Sequence, residues 1–244
     1  MSKINFVDRV PEPREMGRLE QQAFQALSQK NYRRWLLPLT DHALATSALK
    51  KGKILDVACG PGLLSKEIAQ RSDNFEVFGI DISKHAIELA KKNCKKFKNV
   101  KFKIGNVYKL PFANEYFDLI ICKDSIHHFD DLNSCLKELR RVTKKNGYIY
   151  LQDLKRNLPA YLLKRSTPPD NLVKKLQYYS TRAAYTISEL KKTLLILKFR
   201  FFKIYTRKLT KKLAAYYNKK GIENTKLKES FQSRYTAIIK NKSD

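Results

Sequence analysis

From residue 53 onward, short apolar runs alternate with amphipathic stretches, and the change of period predicts the elements. Ile54, Leu55 and Val57 belong to a strand over Lys53–Ala58, and Leu63, Leu64 and Ile68 to a helix over Pro61–Gln70. A second strand follows over Glu76–Ile80, and Ser83 is placed to cap a helix that carries Ile87, Leu89 and Ala90. Val100–Ile104 is the third strand. Phe117–Cys122 is almost wholly apolar, which is the pattern of a strand buried on both faces of a parallel sheet. Leu132, Cys135, Leu136, Leu139 and Val142 recur at helical spacing behind Asp130 or Asp131, and Asn146-Gly147 supplies the stop signal of that helix. Tyr148–Leu151 is the fifth strand. Strands alternating with helices at this rhythm predict an α/β fold with a doubly wound, mostly parallel, Rossmann-like sheet.

The flanks have weaker patterns. Met16, Leu19, Phe24 and Leu27 suit a helix over Arg14–Ser28 after the proline-stiffened lead-in Arg9–Met16, and a second helix is predicted over Tyr32–Leu49 with Pro38 inside it. Such an N-terminal helical pair can close over a ligand cleft as a lid or serve as scaffold. Ser188–Leu197 reads as a helix, and Thr210–Gly221 as a short basic one.

One junction carries chemistry. The first strand runs through Asp56-Val-Ala58-Cys59-Gly60-Pro-Gly62 into its helix, and two glycines around a proline force a tight turn that brings bare backbone N–H groups to a helix start. The second strand ends at Asp81, 19 residues beyond Gly62, about the spacing at which a βαβ unit aims an acid at ribose hydroxyls. A dinucleotide fingerprint would need glycine where Ser65 stands, and the Gly-Lys-Ser/Thr ending of a P-loop is absent. An adenosine-containing ligand is the expectation.

The pattern Asp-x-Ala-x-Gly-x-Gly, followed by Asp81, resembles motif I and the second-strand acid of class I S-adenosylmethionine-dependent methyltransferases, with Ala58 where the family has its first glycine. The likeness runs along residues 50–155, through Gly105-Asn106-Val107, Leu110-Pro111-Phe112, Phe117-Asp118-Leu-Ile and Asp124-Ser-Ile-His127-His128-Phe, and it is nearest the type 11/25 subgroup with its quinone-biosynthesis enzymes. The outer stretches Pro11–Met16 and Ser180–Leu190 look like those of an uncharacterised branch. The resemblance implies S-adenosyl-L-methionine as cofactor, held by Asp56, Ala58, Cys59, Gly60, Gly62, Asp81, Ile82, Asn106, Val107 and Lys123, with no metal. Asn106 stands where the family sets an acid or amide against adenine, and its carbonyl can accept that hydrogen bond. A seven-stranded sheet is implied, closed by an antiparallel pair over Arg200–Thr206 and Tyr235–Ile239. The expected organisation is an N-terminal helical lid over residues 1–49, a cofactor-binding core over 50–155, and a cap segment with the closing strands over 156–244. Residues 155–186, with Pro159, Pro168 and Pro169, interrupt the βα rhythm and can cover the acceptor pocket.

Composition changes the picture at two points. Cys59, Cys94, Cys122 and Cys135 form no C-x-x-C pair, so neither a zinc knuckle nor a disulfide framework is expected. With no apolar signal core at Met1–Phe6 and no stretch near the roughly 20 apolar residues of a membrane span, a cytoplasmic chain is expected. The formal charge is +27, of which +17 falls in residues 151–244, and no acid occurs between Glu189 and Glu223. That density suits nucleic acid, an anionic membrane or an acidic substrate. Lysine outnumbers arginine 36 to 14, which fits compositional bias better than the bidentate reading of phosphates.

Methyl transfer from a sulfonium needs alignment and exclusion of water more than an array of catalytic groups. His127 or His128 can take a proton from a hydroxyl or an acidic carbon, or can order the loop after the fourth strand. Asp124, Lys123 and Tyr108 are pocket candidates by position. Lys123-Asp-Ser-Ile replaces the Asp/Asn-Pro-Pro-aromatic run of amino-methylating nucleic-acid enzymes, and Cys122 follows Ile121 rather than the proline of pyrimidine C5 enzymes. The expectation is therefore in-line transfer to a small-molecule acceptor. Two alternatives are kept open: an RNA or ribosome-associated methyltransferase that uses the basic C-terminal segment, and a non-catalytic adenosyl-ligand-binding module.

Overall fold

Alternate residues of each strand point to opposite faces of a sheet, so an apolar run such as Ile54-Leu55 needs cover on both sides. The computed structural model, which describes residues 9–11, 22, 26–27, 30–157 and 172–242, supplies that cover. The strands are β1 (Gly52–Val57), β2 (Phe75–Asp81), β3 (Val100–Ile104), β4 (Phe117–Lys123), β5 (Thr143–Leu154), β6 (Phe202–Tyr205) and β7 (Arg234–Lys240). They form one seven-stranded sheet in the order β3-β2-β1-β4-β5-β7-β6. The first five strands are parallel, and β7 runs antiparallel to both β5 and β6. The chain reverses its winding between β1 and β4, which places a crevice at the carboxyl ends of those two strands.

One face buries Leu55, Val57, Ile80, Ile120 and Cys122 against helix α4 (Leu132–Val142) and helix α6 (Ile187–Ile196), through Leu136, Leu139, Leu190 and Leu194. The other buries Ile54, Val77, Leu119 and Ile121 against helix α1 (Tyr32–Ser47) and helix α2 (Leu63–Ala69), through Leu36, Leu39, Leu64 and Ile68. Helix α3 (Lys84–Asn93) is capped by Ser83, whose hydroxyl accepts from Ala86 N. Helix α5 (Leu172–Ala183) precedes α6, which opens with a capping box between Thr186 and Glu189. Helix α7 (Lys211–Lys219) and helix α8 (Asn224–Gln232) share a small cluster of Tyr217, Ile222, Leu227 and Phe231, against which Leu37 of α1 packs.

The stop signal at Asn146-Gly147 is corrected. Helix α4 ends at Val142, and Asn146, with φ 64°, lies within β5. The β4–β5 register slips between Phe117 and Leu119, so the left-handed residue serves an irregularity in the strand rather than a helix end. Asn241 closes that irregularity, with Asn146 N donating to its carbonyl at 2.6 Å and its own N donating to the Gly147 carbonyl at 2.9 Å. Pro38 sits inside α1, and its carbonyl accepts from Arg207 Nη1 at 2.9 Å. The expected Arg14–Ser28 helix, and Pro159, Pro168 and Pro169, lie outside the described residues apart from 22, 26 and 27. Among the described residues, no helix is long and apolar enough to cross a membrane, and no cluster of three or more His, Cys, Asp or Glu could hold a metal ion.

Candidate active site

The carboxyl ends of β1 and β2 are tied together by backbone geometry. Ala58, Gly60 and Gly62 have φ of 53°, 51° and 74°, so three alternate residues take the left-handed conformation in the β1–α2 turn. Alanine bears that conformation at a cost of about 1 kcal/mol that glycine avoids. Gly60 N donates to Asp81 Oδ2 at 2.8 Å, and Ser83 N donates to Oδ1 at 3.0 Å. The acid of β2 therefore holds the glycine turn and the start of α3 in one arrangement. The two glycines have different reasons. A Cβ on Gly62 would lie 2.8 Å from Ala90 Cβ and 2.9 Å from Phe102 Cζ, whereas one on Gly60 would meet nothing within 4 Å. Gly62 is demanded by packing, while Gly60 faces open space of the kind a ligand fills. A nucleoside-bearing cofactor fits that cradle: amides at a helix start, an acid within reach of ribose, and Ile82, 44 % exposed, as an apolar platform beside it.

The other expected cofactor residues are distributed unevenly. Asp56 is buried beneath the turn and accepts from Ser65 Oγ at 2.6 Å, so it positions the turn from below. Burial pushes its carboxyl up to about 7, against the pull of Ser65's hydrogen bonds. Cys59 is buried too; burial and the nearby Asp56 and Asp81 push its thiol well up, leaving its backbone as the part that shapes the turn. Asn106 is exposed beyond β3, and its Oδ1 accepts from Tyr108 N at 2.9 Å. Val107 is half-buried against the core. Lys123 is held by Asp124 in an ion pair, and burial lowers its ammonium.

After β4, Asp124 takes φ 49° and is gripped by Arg234 from β7, with Nε to Oδ1 at 2.7 Å and Nη2 to Oδ2 at 2.9 Å. Burial alone would raise this carboxyl, but Arg234 and Lys123 hold it well below the usual carboxylate range. Arg34, Lys123 and Arg234 each set a cation 5.4 Å from the Trp35 ring of α1. The loop then makes a 3-10 turn over Ile126–His128. His127 is 2 % exposed, with its Nδ1 2.6 Å from Asp153 Oδ1 and its N donating to Oδ2 at 3.1 Å. A carboxylate on Nδ1 fixes the tautomer and leaves Nε2 as the basic nitrogen. His128 lies with its ring centroid 4.1 Å from that of His127, and burial, then His127, keeps its imidazole well below the usual range. From the N-terminal segment, Arg9 straps the turn, with Nη2 to the His127 carbonyl at 2.8 Å, Nε to the Ala183 carbonyl at 2.7 Å and its guanidinium 4.3 Å from the Tyr185 ring centroid.

Sequence reasoning missed Asp153, Arg234, Trp35 and Arg9. Asp153 has a local signal, an acid two residues beyond the apolar run Tyr148–Leu151 at the carboxyl end of β5. The other three reach the site from distant elements, and nothing beside them in the chain marks the role.

The glycine turn, the acid after β2 and the winding switch between β1 and β4 define a Rossmann-like nucleoside-binding domain. A family profile described as "Methyltransferase domain" matches residues 48–226, and the chain belongs to the S-adenosylmethionine-dependent methyltransferase family. It is 35 % identical over 115 residues to a ubiquinone biosynthesis O-methyltransferase of Pelagibacter ubique, covering 47 % of either protein. It is 31 % identical over 102 residues to a demethylmenaquinone methyltransferase of Thermotoga maritima, covering 42 % of this chain and 43 % of that one. The matches thus span under half the length of these curated relatives. In fold it is similar to an S-adenosylmethionine-dependent methyltransferase structure from Methanococcus maripaludis, with a TM-score of 0.67 at 16 % identity over 94 % of this chain and 97 % of that one. It is also similar to the plantazolicin methyltransferase BpumL in complex with SAH, with a TM-score of 0.68 at 18 % identity over 92 % of this chain and 90 % of that one.

Proposed function

We propose that the chain catalyses methyl transfer from S-adenosylmethionine to a small-molecule acceptor. The observation that carries the reading is the Gly60–Asp81 link at 2.8 Å, which fixes a glycine turn and a carboxylate around open space at the β1–β4 switch. The cofactor supplies a methyl group on a sulfonium that leaves as a neutral thioether. The glycine turn would leave room for the amino-acid end over Gly60, Asp81 would hold the ribose, and Ile82 with Asn106 the adenine. The His127–Asp153 pair provides a base of fixed orientation for an acceptor hydroxyl or acidic carbon, and the charge of Asp153 stabilises the imidazolium that forms. Arg9, α1 and the His127 turn cover the acceptor side and exclude water. Support for a small acceptor comes from relatives named for ubiquinone biosynthesis and demethylmenaquinone, and from Lys123-Asp-Ser-Ile in place of an amino-methylating motif.

Calorimetric titration with S-adenosylmethionine tests the cradle. Asp81→Asn keeps the side-chain shape but loses the charge, and should weaken binding by about 1.5–3 kcal/mol. Binding of NAD in preference to S-adenosylmethionine would remove the reading altogether.

A further inference from the structure

The edge of the sheet opposite the cofactor cradle has its own chemistry. Helix α6 exposes Lys191, Lys192, Leu195 and Ile196, whose spacing puts them on one face. Leu195 and Ile196 are 56 % and 63 % exposed, large aliphatic side chains left in water at the end of a helix whose other face is core. The chain then turns through Lys198 and Arg200, and Phe201, 46 % exposed, precedes β6. Lys242, just past β7, sets its ammonium 4.5 Å from the Phe201 ring centroid. The turn walls a cleft in which Lys145 and Lys240 also take part, while Glu115 is the acid in that lining. Arg140 and Arg141 reach the same cleft but are committed, the first over Phe199 and to the Leu197 carbonyl, the second to Glu138. The available charge is therefore chiefly lysine.

We propose that the α6–β6 turn, with Leu195, Ile196 and Phe201 at its crest and Lys198, Arg200 and Lys242 around them, docks on an anionic lipid bilayer. The aliphatic crest decides the partner. Phe201 and Arg200 can stack on a base, but Leu195 and Ile196, the two most exposed apolar side chains of the crest, have no face for it and gain nothing from a polynucleotide. A bilayer interface accepts aliphatic and aromatic groups at its acyl boundary while lysines reach the headgroups above them. Each Lys or Arg near such a surface strengthens partitioning about fivefold, through phosphate charge that salt screens. The geometry also sets an orientation. The turn lies with the start of β5 and the end of β7, at the amino edge of the parallel strands, whereas Gly60, Asp81 and Asp124 lie at the carboxyl edge. The docked protein presents its transfer site away from the bilayer and takes its acceptor from water.

Flotation with vesicles of phosphatidylcholine alone, and of phosphatidylcholine with phosphatidylglycerol, tests this in low and in physiological salt. The full chain should rise only with the anionic vesicles and lose that binding as salt increases. Lys198→Ala with Arg200→Ala should weaken partitioning about 30-fold, and Leu195→Ser with Ile196→Ser about tenfold. All four substitutions are at exposed positions, and unchanged melting and S-adenosylmethionine binding verify that each variant is folded. Absence of flotation at low salt, or flotation indifferent to the aliphatic pair, overturns the proposal. So does an oligoribonucleotide that binds as tightly as the vesicles and responds to the cationic pair but not to Leu195 and Ile196.

Discussion

Gly60 and Gly62 show how two identical residues in one motif answer to different forces. Both need a left-handed backbone, so an alanine at either costs about 1 kcal/mol of strain. At Gly62 the new methyl also collides with Ala90 and Phe102. Gly62→Ala should therefore destabilise the fold by a total of about 3 kcal/mol or more, read as a steep fall in melting temperature. Gly60→Ala should melt within a few degrees of wild type yet lose most S-adenosylmethionine affinity, because its methyl occupies the cradle. Equal loss of stability in both would mean that Gly60 too is structural. The turn and Asp81 were legible in the sequence because glycine and a strand-end acid are local signals with few other uses at that spacing. The placement of Asp56 beneath the turn was not, since a buried carboxyl and a ligand-facing one read alike in a motif. His127 was legible as a titratable group in the right loop, but its orientation rests on Asp153, 26 residues away. If the pair supplies the base, His127→Ala should lower kcat by about 10²–10⁴ with cofactor affinity near wild type. Asp153→Asn should also lower kcat and shift its pH profile. A variant that lost melting temperature but kept kcat would make the histidine a strut.

At the scale of elements, α1 is bound to the sheet by a histidine bridge that no periodicity announced. His42 Nδ1 lies 2.9 Å from Tyr150 OH on β5, and its Nε2 lies 3.1 Å from Tyr205 OH on β6. Burial, helped by Arg207, lowers this imidazole to about 4. Its contribution is thus present above the ordinary value of 6.5 and is lost as pH falls through about 4. Asp56 has the opposite sign over nearly the same window. Its raised carboxyl contributes fully below the ordinary value of 3.8, and that contribution is lost as pH rises through about 7. The two should largely cancel between about pH 4 and pH 7, so their joint effect on wild-type stability there is nearly flat. Asp56→Asn keeps the bond to Ser65 and should leave a stability that climbs with pH across this window. His42→Gln should leave one that declines. Denaturant midpoints measured across the window check the pair, and parallel slopes in the two variants would refute the assignment. Helix α8 escaped the pattern for a simpler reason: Leu227 and Phe231 are its buried residues, and so sparse a face stands out only once α7 and α1 are packed against it. Asn146-Gly147 misled because a left-handed signal specifies a backbone angle, and the same angle serves a helix end or an irregular strand.

At the scale of the molecule, the formal charge of +27 is what the sequence stated most loudly and located least well. The acid-free run from Glu189 to Glu223 reads as one basic segment, but the fold divides it. Lys198 and Arg200 join Lys145 and Lys242 at the amino edge of the sheet. Lys211 and Lys212 instead open α7, whose Tyr217 hydroxyl bonds Asp41 of α1 at 3.1 Å. Linear charge density could not show that division, because it depends on where β6 sends the chain. The two halves should behave differently. Lys211 and Lys212 lie in the first turn of a helix with no acid there, where the macrodipole disfavours cations and adds to the repulsion of a strongly charged surface. Lys211→Glu with Lys212→Glu should therefore raise stability, by about 0.3–1 kcal/mol for each residue at low ionic strength. It should also reduce the stabilisation that added salt gives the wild type, since less repulsion remains to be screened. Methyl transfer should be unchanged, because the contacts described for α7 are with α8 and with Leu37 and Asp41 of α1. Thermal melts over a salt series, with initial rates from the same preparations, check all three expectations. A pair that lost activity while gaining stability would tie α7 to the acceptor and would require the basic run to be read as one functional surface after all.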